Sequence, residues 1–421
     1  MSVGGGKIFK RLKGADEALR AFLSSVSIAP LDAEEVPIGN CLNRVLAKDI
    51  VAPRDLPDFN RAAMDGYAVI SADVLGASPT NPALLRVVGK AEAGSQPRLK
   101  ISDGEAVAVA TGAPLPEGAD AVVMVEHTRA ISDSEIEVYS PVTPGENVQA
   151  AGEDVKAGEA ILKRGTKLRP WDIGMLAALG IGSVEVIRRP KVAIISTGDE
   201  LAEPGEEPRP GSITNSSRFI LSAMVEELGA LPVYLGIAKD SLEEIRAKIE
   251  EGLRTCDVVL ITGGTSVGEK DLVPEAINSL GKPGMLIHGV AIRPGMPTGL
   301  AAVYGKPIIS LSGYAVAAMM GFMALARPLI LMLLGSKADP APRIRAKMAR
   351  RVASPAGTRT FLRVLVEGNG RGGYVAKPIR SSGSGILSSV VKANGLVVIP
   401  EWKEGIEEGE EVEVELLRPL D

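Results

Sequence analysis

The stretch that most narrows the fold is Val258-Val259-Leu260-Ile261, four apolar residues that run straight into TGGTSVGEKD, Thr262 to Asp271. A fully apolar run of this length, bounded by glycines, reads as a buried strand emptying into a loop. Gly263 and Gly264 let backbone N–H groups approach a phosphate-like ligand, Thr265 and Ser266 add hydroxyl donors, and Asp271 can hold a hard cation beside it. The same design precedes it in KVAIISTGDE, where Val192-Ala193-Ile194-Ile195 leads into Ser196, Thr197, Gly198, Asp199 and Glu200. Between the two lie a helical pattern over Ser216 to Leu228, a strand over Pro232 to Gly236 and a second helix over Leu242 to Leu253. Strand and helix in strict alternation predict a parallel sheet covered by helices on both faces. Such sheets bind ligands at the carboxyl ends of their strands, so the two glycine-rich exits are expected to share one cleft.

The alternation continues through Met285 to Ile292, Gly299 to Val303, Pro307 to Leu311 and a long apolar helix over Ala315 to Leu334. At 421 residues the chain exceeds one core, since domains of roughly 100–200 residues are usual. Upstream, an amphipathic helix over Asp16 to Val26 opens the fold. Short apolar runs (Ala68 to Ile70, Leu84 to Val88, Ala106 to Ala110, Ala121 to Val125) alternate with Gly/Pro/Asp turns, which is β texture. A helix over Pro170 to Leu179 follows. After the linker SKADPAP, strands are expected at Ile344 to Ala349, Thr360 to Val366, Tyr374 to Pro378, Gly395 to Ile399 and Glu411 to Leu416. The expected architecture is multidomain α/β plus β. A two-piece connecting domain (1–52 and 153–188) frames a β-rich domain (53–152); a three-layer α/β/α parallel-sheet domain (189–335) and a small β-barrel-like domain (342–421) follow.

Composition removes several functions. A net charge of −5 argues against nucleic acid or an anionic membrane as partner, and 3% aromatics supplies few surfaces for base stacking. Cys41 and Cys256 stand far apart, away from any second Cys or His at metal-ligand spacing, so neither a disulfide framework nor a zinc site is expected. His127 and His288 are the only histidines and read as strand or loop residues, which disfavours a His-based triad. The first residues, MSVGGGKIFKRLKG, lack the apolar core of a secretory signal. Ala315 to Leu334 is long enough to tempt a membrane reading but contains Arg327-Pro328, so it is read as a core helix. A cytoplasmic protein is expected.

Two further segments share the texture of an apolar lead-in followed by small polar residues: AMDGYA (Ala63 to Ala68) and TGAPLPEG (Thr111 to Gly118). With STGDE and TGGTSVGEKD, in this order along nearly the whole chain, they make it resemble the molybdopterin molybdenumtransferase family, which includes the E domain of gephyrin. The resemblance implies an enzyme that inserts molybdate or tungstate into adenylylated molybdopterin, with Mg²⁺-dependent hydrolysis and release of AMP. Phosphoanhydride cleavage asks for positioned charge rather than an elaborate nucleophile, so the missing histidine is no obstacle. Matching motifs carry over Asp65, Thr111, Glu200, Asp240, Asp271 and Arg293 as catalytic residues. Ser196, Thr197, Gly198, Gly263, Gly264, Ser266, Ser312 and Gly313 would bind the pterin nucleotide, and Asp240, Asp271 and Asp154 the Mg²⁺. A homodimer is implied, in which Asp65 and Thr111 complete the cleft of the neighbouring chain, with an upstream molybdopterin adenylyltransferase as transient partner.

The chain also departs from the family pattern. A usual KPGKP segment is Arg293-Pro294-Gly295-Met296-Pro297, which keeps one cation and replaces the other with a thioether. The loop LPGNPV is Leu311-Ser312-Gly313-Tyr314-Ala315-Val316, without its prolines and Asn, and FDNSA is Phe59-Asn60-Arg61-Ala62 preceded by Asp58. These changes leave a rival reading: a non-catalytic molybdopterin carrier or dimeric scaffold of the same fold.

Overall fold

The structure is a computed structural model and describes residues 12–94, 99–207, 209–264, 272–336, 341–380 and 383–420. Its contacts divide the chain into two units, one made of Met1–Glu34, Asn43–Val45 and Val186–Asp421, the other of Glu35–Leu42 and Leu46–Glu185. Helix α1 (Ala15–Leu23) belongs to the larger unit; Ala15, Ala18 and Phe22 recur at helical spacing and are buried, and Asp16 and Glu17 sit at its positive end.

The smaller unit is built on a six-stranded sheet of β1 (Gly66–Val69), β2 (Ala83–Ala91), β3 (Glu105–Val109), β4 (Ala121–Met124), β5 (Thr128–Ser132) and β6 (Glu135–Val138), in the order β4-β1-β3-β2-β6-β5. Its central strands are apolar throughout because both faces are covered. Val69, Ala106 and Val123 join one core, and their neighbours Ala68, Val107 and Val122 join the other. Strands β5 and β6 carry exposed polar residues, so they lack the apolar runs that mark the others. Helix α2 (Pro170–Ala178) starts where Asp172 accepts the Arg169 N–H at 2.8 Å and Pro170 takes a first-turn position that needs no donor.

In the larger unit, β7 (Lys191–Thr197), α3 (Ser217–Glu227), β8 (Leu231–Ala238), α4 (Leu242–Thr255), β9 (Val258–Thr262), α5 (Leu272–Leu280), β10 (Pro283–His288), β11 (Gly299–Val303) and β12 (Lys306–Leu311) form a sheet in the order β8-β7-β9-β12-β11-β10. The four strands β8, β7, β9 and β12 are parallel. On one face Ala193, Ile195, Val259, Ile261 and Ile308 pack with Ile245, Ile249 and Leu253 of α4 and Val273, Ala276 and Ile277 of α5. Gly252 lets α4 lie close, since a methyl group there would sit 3.1 Å from both Ala193 and Val259. Ser241 caps α4 by accepting the Glu244 N–H at 3.1 Å.

The structure refines the strand directions within this sheet. The sheet is mixed: β11 runs antiparallel to β12, joined through Tyr304 and Gly305 at φ +53° and +75°, and β10 runs antiparallel to β11. The segment Met285 to Ile292 is divided between β10 and the start of a short strand, Ile292–Arg293. Gly289 turns the chain at φ +85°, and Ile292–Arg293 pairs instead with Arg359–Thr360.

Helix α6 (Ala315–Leu333) is continuous, with a π-helical stretch over Phe322–Ala326 just ahead of Pro328 that absorbs the proline's missing donor and its ring. It is long and apolar enough to cross a membrane, yet 61% of it is buried, including Val316, Phe322, Leu325 and Leu329. Beyond it, β13 (Arg343–Met348), β14 (Arg359–Gly368), β15 (Tyr374–Arg380), β16 (Gly395–Ile399) and β17 (Glu411–Leu416) pair in the circuit β14-β15-β13-β17-β16-β14. The closed ring surrounds Met348, Leu362, Val364, Ala376, Val397, Ile399 and Val414.

Candidate active site at the strand ends

Parallel register sets the exits of β7, β9 and β12 side by side: Ser196 pairs with Thr262, and Thr262 with Leu311. The three exits converge on Gly263. Its N–H donates to the Leu311 carbonyl at 3.2 Å, and its φ is +89°. A Cβ at Gly263 would lie 2.5 Å from the Thr197 carbonyl oxygen, and one at Gly313 would lie 3.5 Å from the Gly263 Cα. Glycine is therefore required by both conformation and space. Gly264 (φ +59°) continues the turn, its Cβ position 2.7 Å from Val273 of α5.

Ser196 and Thr197 are buried and spend their hydroxyls inside the protein: Ser196 Oγ on Asn215, Thr197 Oγ1 on the Thr262 carbonyl at 3.2 Å. They form the floor of the cleft. Ser312 is also buried, its Oγ accepting the Tyr314 N–H at 3.3 Å. Gly198 (φ +142°) leaves room for Glu200, whose carboxylate oxygens lie 2.6 and 2.7 Å from where a Cβ would stand. The Glu200 backbone is fixed by the Ile213 N–H at 2.7 Å while its side chain is exposed. Asp199 Oδ1 accepts the Asp240 N–H at 3.3 Å, which holds the β7 and β8 exits together and leaves the exposed Asp240 carboxylate beside Asp199.

Thr265, Ser266 and Asp271 lie outside the described residues. Among the described residues no group of three or more His, Cys, Asp or Glu could hold a metal ion. The carboxylates of Asp199 and Asp240 are nonetheless the hard-oxygen donors Mg²⁺ takes, and that ion commonly uses only one or two carboxylates with substrate phosphates and waters. Arg293 is half-buried on its short strand, and Met296 is exposed.

In the smaller unit, the start of β1 and the end of its antiparallel neighbour β3 bring Asp65 and Thr111 together. Asp65 Oδ1 accepts both the Thr111 N–H at 2.7 Å and the Thr111 hydroxyl at 2.9 Å. The backbone bond first and the hydroxyl second hold the Asp65 carboxyl below the usual aspartate range. Both residues are exposed. Asp154 lies in the same unit, its N–H bonded to the Leu56 carbonyl at 3.0 Å and its side chain exposed.

One group escaped sequence reasoning. Asn215, 2% exposed, donates to Ser196 Oγ at 3.0 Å and to Tyr234 OH at 3.1 Å; Tyr234 donates to Glu203 at 2.6 Å, and Glu203 accepts Arg218 Nε at 2.8 Å. Arg218 stacks on Phe219 and Tyr234, at 3.7 and 4.4 Å from the ring centroids. Burial, with Glu203 second, pushes the Tyr234 hydroxyl up to about 12. Two arginines of the C-terminal ring are spoken for internally. Arg359 pairs with Asp16 at 2.7 Å and Glu401 at 3.0 Å, and the fully buried Arg363 donates to Ser389 and the Phe361 carbonyl.

Three family models match in succession: MoeA N-terminal region (domain I and II) over residues 14–180, probable molybdopterin binding domain over 193–332, and MoeA C-terminal region (domain IV) over 345–417. A Methanocaldococcus jannaschii protein named for molybdopterin biosynthesis is 40% identical over 97% of this chain and 98% of its own. Molybdopterin molybdenumtransferase 2 of Mycobacterium tuberculosis is 36% identical over 87% of this chain and 90% of its own. The crystal structure of the molybdopterin biosynthesis MoeA protein from Pyrococcus horikoshii superposes with a TM-score of 0.84 at 39% identity, covering 97% of this chain and 100% of that one.

Proposed function

Because this chain belongs to the MoeA family of molybdopterin molybdenumtransferases, we propose that it inserts molybdate or tungstate into adenylylated molybdopterin, with Mg²⁺-dependent cleavage of the adenylate and release of AMP. The observation that carries this reading is the convergence of three strand exits on Gly263, with the Glu200 and Asp240 carboxylates at the neighbouring exits. Such a site offers backbone donors for a phosphate and carboxylates for a cation within one parallel-sheet edge. The enzyme names of the relatives favour it over a carrier or scaffold.

In this reading the backbone N–H of Gly264 binds a substrate phosphate at a turn that the Gly263 bond to Leu311 holds in place, and Glu200 orients the pterin. Asp240 and Asp271 would be the residues to hold Mg²⁺. When bound, the ion supplies positive charge to the anhydride oxygens. A water oxygen attacks one phosphorus, the bridging P–O bond breaks, AMP leaves, and the terminal phosphate stays on molybdopterin; the two dithiolene sulfurs bond the metal as their two protons leave with one oxo group of the oxyanion as water. Arg293 presents a guanidinium to the oxyanion, and Met296 in place of a lysine leaves that clamp one charge weaker. The protein works in the cytoplasm as a homodimer, with Asp65 and Thr111 serving the neighbour's cleft and the molybdopterin adenylyltransferase delivering substrate.

The test is AMP release from adenylylated molybdopterin by the purified protein. Oxyanion-dependent release that stops when EDTA removes Mg²⁺ is expected, and the anion that works identifies the metal. Tight pterin binding without AMP release in either anion would establish the carrier reading instead.

A further inference from the structure

The loop after β12 holds its backbone at four points. Ser217 Oγ at the start of α3 donates to the Gly313 carbonyl at 3.2 Å, and Tyr314 N–H donates to Ser312 Oγ at 3.3 Å. The Tyr314 carbonyl accepts the Ala318 N–H at 2.9 Å as α6 begins, and Val316 N–H donates to the Ser384 carbonyl at 3.2 Å. Despite these anchors the Tyr314 side chain is 62% exposed. One edge of its ring rests on Gly385, where an added methyl would lie 3.1 Å from Cδ1 and 3.4 Å from Cε1. The residue before it, Gly313, faces Gly263 at the focus of the cleft, where an added Cβ would lie 3.5 Å from the Gly263 Cα. An aromatic ring that is fixed at its backbone, supported along one edge and open on the rest has its ordering cost met before any ligand arrives.

We propose that Tyr314 is a stacking platform for a flat nitrogen heterocycle of the substrate. The contact is ring face on ring face, which is sequence-neutral in geometry and favourable for adenine and pterin alike. It rests on the transferase reading, because adenylylated molybdopterin carries both rings.

The experiment is calorimetric titration of wild type, Tyr314→Phe, Tyr314→Leu and Tyr314→Ala with AMP, and separately with pterin. Tyr314→Phe should bind like wild type. Tyr314→Leu, which keeps apolar packing on Gly385 but has no π face, and Tyr314→Ala should both weaken binding about 10-fold with unchanged melting temperatures. The heterocycle that loses affinity is the one that stacks. Equal affinities of Leu, Ala and wild type for both heterocycles overturn the platform while leaving the transferase reading intact. Failure of the wild type to bind either heterocycle overturns both.

Discussion

Gly263 joins conformation, space and chemistry at one Cα, which makes it the sharpest single-residue test. Gly263→Ala must place a methyl 2.5 Å from the Thr197 carbonyl at φ +89°. It should lower the unfolding free energy by about 2–3 kcal/mol, measured in urea, and remove AMP release. Asp65 gives a pH signature. Its folded value lies below the ordinary 3.8, so its bonds to Thr111 are fully present above 3.8 and are lost only as pH falls through the lower folded value. The Thr111 amide resonance should therefore titrate with a midpoint below 3.8, and an inflection at or above that value would show the pair is not formed. Sequence marked Gly263 and the Asp65 and Thr111 segments because glycine turns and motif order are local signals. It also singled out Ser196 and Thr197, whose hydroxyls bond Asn215 and the Thr262 carbonyl. Asn215 could not be found at all, since its partners Ser196, Tyr234 and Glu203 are adjacent only after folding.

Elements were legible where burial is one-sided or complete. Helix α4 announces itself by Ser241, two following glutamates and Ile245, Ile249 and Leu253 along one face. Ser241→Ala should cost about 1 kcal/mol by urea denaturation, because the Glu244 N–H loses its acceptor. Ile195→Ala, at the centre of the sheet, should cost about 2–5 kcal/mol by the same measurement. How the antiparallel strands β10 and β11 run was not legible in their own residues, because apolar runs do not state direction; the turn residues do. Tyr304-Gly305 between two apolar runs is a hairpin signal, weak in tyrosine at the first position, which normally avoids positive φ. Strands β5 and β6 offer no continuous apolar run: β5 is largely exposed, and β6 alternates Glu135 and Glu137 with the buried Ile136 and Val138.

At the scale of the assembly, the proposed homodimer has a functional consequence that mass alone does not reveal. Sedimentation should return twice the 43.9 kDa chain mass. If Asp65 serves the neighbour's cleft, Asp65→Asn and Glu200→Gln are each inactive as pure dimers. Mixing them after subunit exchange should restore about a quarter of wild-type AMP release, since half the dimers are mixed and each has one intact site. No recovery would place both residues in the same chain's site. The order in which the larger sheet assembles follows from the two-residue hairpin that joins two of its strands directly. Strands β11 and β12 can zip across Tyr304-Gly305 within microseconds, whereas each parallel neighbour must wait for a helix and its loops to close. The hairpin is thus the expected seed of refolding, with its amides gaining exchange protection before those of β7 and β8, so the two-residue turn at Tyr304-Gly305 sets the tempo for the strand exits at the opposite end of β12.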